Sequence, residues 1–181
     1  MLTDTQKETN IRFFLFFIPV AYASYLFHEF GHWSVGEVLG NRMVYSLNYV
    51  WPKNGHYLRE GQDLYVLIGG PAFSVLEAIV ALLIIEGSRA LYAYPFAFFP
   101  MFNRFFSLLF GGFSKQDEAK IAVLTNTGSY VVAILVLVIL ISIVIRCSFK
   151  LGIKPKTNAY ILTASTACQV LVIGTYEFLK V

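Results

Sequence analysis

The residues with the most chemical content are His28-Glu29-Phe30-Gly31-His32. In a helix, positions four apart lie on one face, so both imidazoles can reach a single metal ion. The Glu between them projects beside that ion without ligating it. There its carboxylate can accept a proton from polarised water. The chain has only 3 His. At that composition an H-E-x-x-H pattern arises by chance in ~0.2% of such chains, so the spacing reads as a metal motif. Two His and a Glu within an apolar stretch are also costly unless something compensates them.

The motif needs a helix, and the sequence supplies one that reads as a membrane span. Residues 13–27 carry no charge and run on into a more polar stretch ending at Gly40. Residues 121–145 and 157–176 are also free of charge. Glu77 is the one charge in residues 64–85, and Arg104 the one charge in 90–113. A spanning helix needs about 20 mostly apolar residues. Five membrane helices are therefore expected, at about 11–39, 63–86, 89–111, 128–149 and 157–179. His28 lies ~24 Å along the first span from Arg12, inside a hydrocarbon layer ~30 Å thick but near its far face.

Composition agrees. Of 181 residues, 57% are hydrophobic and 14% charged, and the mean hydropathy is +0.64. Soluble domains carry roughly 25% charged residues. Disorder, coiled coil and a charged nucleic-acid binder are excluded, and a net charge of +3 implies no polyanion partner. Cys147 and Cys168 lack metal or disulfide spacing and read as buried packing residues. The expectation is an all-α polytopic membrane protein forming one membrane-embedded domain over 1–181, an integral multi-pass protein of the cell (inner) membrane if the source is a bacterium. A signal-peptide reading, with cleavage after Ala21-Tyr22-Ala23, is the lesser alternative because it would detach the helix just before the motif. Basic residues divide seven to six between the two faces, which decides no orientation.

Local chemistry marks the breaks. Gly40-Asn41 is expected to cap the first helix in a left-handed turn. Residues 43–50 are strand formers closed by Trp51-Pro52, a short membrane-associated β element. A polar loop covers 53–63. Ser114-Lys115-Gln116-Asp117 reads as a capping box opening a helix. The Phe-rich stretch 96–110 reads as lipid-facing and packing surface.

H-E-F-G-H at the end of a first apolar helix, with Gly69-Gly70-Pro71 in the next span, resembles the site-two protease family of intramembrane metalloproteases. The resemblance covers residues 11–120. It implies one Zn²⁺ held by His28, His32 and a later Asp, with Glu29 as general base. It also implies cleavage of peptide bonds in or near membrane helices, with a membrane protein or peptide as substrate. Three positions depart from the family pattern. Ser74 stands where the family often has Asn, and counting from Asn103 the expected Pro falls at Phe106 and the expected Asp at Gly111.

A catalytic zinc site has three protein ligands and an open position. Asp117 is the first candidate for the third, since two spans return the chain to the face near His28 and His32. Its neighbour Glu118 is the second and should be much the milder site to change, because adjacent helical residues diverge by about 100°. Glu77, an intramembrane acid, is a candidate ligand or support. His56 sits in the polar loop and reads as solvated. Asn126 reads as part of a kink or, alternatively, as a cavity-lining donor. Arg104 reads as snorkelling or as paired with an acid such as Glu77, and Gly69-Gly70 as helix packing.

Two functions follow. The first is an intramembrane zinc endopeptidase. The second is a non-proteolytic membrane protein, a metal-binding or partner-binding subunit that keeps the motif.

Overall fold

A computed structural model describes residues 10–110 and 113–179, without the side chain of Lys115. Gly111, Lys180 and the charged residues before Asn10 lie outside the described residues. Helix α1, Ile11–Val38, is opened by the Asn10 side chain, which accepts from the backbone N–H groups of Arg12 and Phe13 at 3.0 and 3.2 Å. Gly40, at φ 86°, turns the chain out of it as the sequence suggests. Helix α2 is Gln62–Ser88. Helix α3 is Tyr94–Phe110, preceded by the 3-10 turn Leu91–Ala93. Helix α4, Asp117–Leu124, α5, Val131–Leu151, and α6, Pro155–Leu179, complete the chain.

The protein is all-helical apart from a small sheet. The helices α1, α2, α5 and α6 are long and apolar enough to cross a membrane, consistent with a multi-pass membrane protein. The fifth expected span is α3. Its 17 residues reach only about 26 Å, short of a hydrocarbon layer ~30 Å thick. It still carries the chain back, because α3 sits inside the bundle and packs against α1, α2, α5 and α6. Phe98, Phe99 and Phe102 are therefore buried, so much of the Phe-rich stretch is core and not lipid-facing surface. Tyr94, also buried, bonds Ser148 and Asn158 at 2.7 and 2.8 Å, tying α3 to α5 and α6.

Two further expectations change. The element near 43–50 is a hairpin of β1, Met43–Tyr45, and β2, Val50–Pro52, so Trp51-Pro52 belongs to a strand and does not close one. The capping box does not form. Ser114 lies in the 3-10 turn Phe113–Lys115, and Gln116 is the cap residue of α4 without a side-chain bond to it. Outward faces of α2 and α5 present Leu83, Leu135 and Val138, more than half exposed, as a lipid-facing surface requires.

The tightest helix contact is α1 on α2. A Cβ built on Gly69 would lie 2.5 Å from the Gly31 carbonyl oxygen, and one on Gly31 would strike the Gly69 carbonyl. Only glycine lets the two backbones approach so closely. Gly31→Ala is expected to lower stability by about 1–3 kcal/mol in detergent unfolding, since the obstacle is backbone and cannot rotate away. Gly87→Ala, with nothing within 4 Å, is the control and should not destabilise.

Candidate metal centre

Helix α1 presents His28 and His32 toward α2, one turn apart. Their Nε2 atoms are 3.3 Å from each other. Asp117, the first residue of α4, places Oδ2 3.0 Å from His28 Nε2 and 3.2 Å from His32 Nε2. Ligands about 2.05 Å from a tetrahedral zinc stand ~3.3 Å apart, so the three atoms already span most of one face of such a site. Glu29 also stands by them, its carboxylate within 4.8 Å of the two His nitrogens. His28, Glu29 and His32 are buried and positioned to bind a metal ion.

The hydrogen-bond partners of the two rings fix where their protons sit. His32 Nδ1 lies 2.7 Å from the Val66 carbonyl, which can only accept, so Nδ1 carries a proton. His28 Nδ1 lies 3.0 Å from Ser74 Oγ and 2.9 Å from Arg104 Nη2, which can only donate, so Nδ1 accepts and the ring proton of His28 sits on Nε2, 3.0 Å from Asp117 Oδ2. In the neutral rings the His32 Nε2 lone pair then faces the Asp117 carboxylate oxygen at 3.2 Å, with the His28 Nε2–H as the one donor among the three atoms. That single proton, or a cation in its place, holds the two acceptors together. Burial opposes charge on Asp117, but its close contacts with the two imidazoles outweigh it and hold its carboxyl well below the usual range. The room for the rings comes from Gly70. A Cβ there would collide with His32 Nε2 and lie 2.5 Å from His28 Cε1. Gly69 thus packs helices, as expected, while Gly70 faces the imidazoles.

The other candidates fall elsewhere. Glu118 turns away from the His pair and is fully buried, with Oε1 2.8 Å from Arg104 Nε. Arg104 does pair with an acid, but with this one and not with Glu77. Its Nη2 lies 2.9 Å from His28 Nδ1, so Arg104 bridges from Glu118 to the motif. Glu77 takes a 2.6 Å bond from Ser24 Oγ. His56 is exposed. Asn126 is exposed too, in a left-handed turn at φ 52° after α4, and does not line the cavity. Ser74, Val66, Arg104 and Gln116 are the site residues that spacing alone did not assign. The lone base in an apolar segment was the one visible signal, for Arg104.

A cavity of about 680 Å³ opens over the cluster, walled by α1, the hairpin, α2, α3, α4 and α6. Tyr49, Val50, Tyr57, Gln116 and Tyr176 line it beside Glu29. Cross-strand bonds run from Lys53 N to the Arg42 carbonyl and from Ser46 N to the Tyr49 carbonyl, at 2.8 and 3.0 Å. The intervening pair Tyr45–Val50 therefore directs its N–H and C=O groups away from the hairpin. Pro52 has no N–H, and its carbonyl accepts from Gly55 N. The outer edge of β2 is thus the N–H and C=O of Val50, a residue that lines the cavity. At α4, both amide atoms of Gln116 are buried without a partner among the described residues.

No protein-family model, curated protein or solved structure matches this chain.

Two measurements test the geometry. Gly70→Ala is expected to cut metal occupancy, read by elemental analysis of the purified protein, with helicity retained. Asp117→Asn should lower occupancy without unfolding the bundle. Glu118→Gln should instead destabilise it, by about 3–5 kcal/mol, by stranding the buried Arg104 charge. The mild outcome expected from the sequence is thereby revised.

Proposed function

We propose that the protein is an intramembrane zinc endopeptidase, similar to the site-two protease family, acting in the cell membrane on membrane proteins or peptides. The observation that carries this reading is the convergence of His28 Nε2, His32 Nε2 and Asp117 Oδ2 within 3.0–3.3 Å, beside Glu29, at a cavity wall. Two imidazoles and one carboxylate are the donor set of a catalytic zinc site, which leaves a fourth position open. A zinc ion bound there supplies Lewis-acid polarisation of a peptide carbonyl and brings the pKa of water toward neutrality.

The chain's own residues do the rest. The Val66 carbonyl fixes the His32 ring, and Ser74 the His28 ring, so that both Nε2 atoms face inward. The Glu29 carboxylate takes the proton of the attacking water and passes it to the nitrogen of the leaving amine. A substrate helix hides its carbonyls in its own hydrogen bonds and must unwind to be cut. The outward N–H and C=O of Val50 offer an unwound segment a short strand to pair with.

Glu29→Gln separates binding from chemistry. The zinc-loaded variant should keep its metal and lose at least ~100-fold in cleavage of membrane-protein substrates in vesicles, followed by mass spectrometry of the fragments. Asp117→Asn should lose metal and cleavage together. Undiminished cleavage by Glu29→Gln would sink the mechanism. Metal retention with no Glu29-dependent cleavage would point to a non-proteolytic metal-binding subunit instead.

A further inference from the structure

Gln116 donates its backbone N–H to the Phe113 carbonyl and accepts from Lys120 N, but its side chain has no partner among the described residues. It occupies the cap position of α4 yet makes no capping bond. It is 9% exposed, and neither Nε2 nor Oε1 has a partner among the described residues. It lines the cavity and is bonded in sequence to Asp117, whose carboxylate meets both motif histidines. A cavity-lining residue next in sequence to Asp117 thus holds an amide donor and an amide acceptor, both without a partner among the described residues.

We propose that Gln116 binds the main chain of an extended polypeptide substrate, on a different wall of the cavity from the free edge of β2. This rests on the endopeptidase reading and specifies its substrate as an extended backbone. A carboxamide carries the same donor and acceptor as a peptide group, and it can bridge the N–H and C=O of one extended residue. In an extended chain those two groups point to one side, and the next residue's pair points to the other. The hairpin packs on α1, whereas α4 packs on α2 and α5. One substrate residue can therefore pair with Val50 while its neighbour pairs with Gln116. Neither contact reads a side chain, so the segment is selected for being unwound and not for its sequence. The Gln116 amide is closed off in the resting state, and rotation about its side-chain torsions presents it to the incoming chain.

The test uses the zinc-loaded full chain in detergent and two probes. Acetohydroxamic acid can ligate zinc but has no peptide backbone. A peptidyl hydroxamate with two backbone amides adds one. Wild type is expected to bind the peptidyl probe at least ~100-fold more tightly. Gln116→Met, close in volume but without the amide, should reduce that preference about tenfold and leave acetohydroxamate affinity and zinc content unchanged. Methylating the backbone N–H groups of the peptidyl probe one at a time should identify one whose loss weakens wild type and not Gln116→Met, as a shared contact requires. Gln116→Ala gives the same comparison should the Met variant fold poorly. An unchanged preference in the variants, or no preference in wild type while acetohydroxamate binds, overturns the proposal and leaves the metal centre standing. If neither probe binds, the metal reading falls and the proposal with it.

Discussion

Contact between bare backbones at Gly31 and Gly69 sets the distance at which the rest of the site works. It holds α1 against α2 so closely that the His32 ring reaches the Val66 carbonyl and the His28 ring reaches Ser74. Gly70, the next residue, leaves the space the imidazoles fill. A methyl group at any of these positions would move the histidines from their hydrogen-bond partners or occupy their place. The orientation of both rings thus depends on residues without side chains.

The second constraint is electrostatic. Within a bundle whose outer surface is apolar, the chain buries His28, Glu29, His32, Glu77, Arg104 and Glu118. Arg104 and Glu118 neutralise each other at 2.8 Å, and Ser24 donates to Glu77. The His–His–Asp cluster instead gathers a carboxylate oxygen and the His32 lone pair around the one His28 Nε2 proton. A cation can take the place of that proton, and the donor atoms are already close enough to hold one.

Helix α3 reconciles a short segment with a long path. At 17 residues it does not match the hydrocarbon thickness, but it is surrounded by the four longer helices and needs no lipid contact along most of its length. It brings Arg104 and the start of α4 to the level of the motif. Phe98, Phe99 and Phe102, which would suit a lipid face equally well by composition, fill the centre of the bundle, while Phe105 and Phe110 are exposed.

The sequence by itself determined the local features: the H-E-x-x-H face of α1, the long apolar helices and the left-handed exit at Gly40. Each depends on side-chain period, hydropathy or backbone freedom over a few residues, which spacing records directly. Asp117 was legible as a candidate because two intervening segments must return the chain to the same side. Its contact with residues 85 and 89 positions away, and the opposite turn of Glu118 toward Arg104, were decided by packing. So were the folding of 43–52 into a hairpin, the burial of α3 and the idle amide of Gln116. These depend on which helix lies against which, and hydrophobic pattern does not encode that, because lipid and protein interior accept the same apolar side chains.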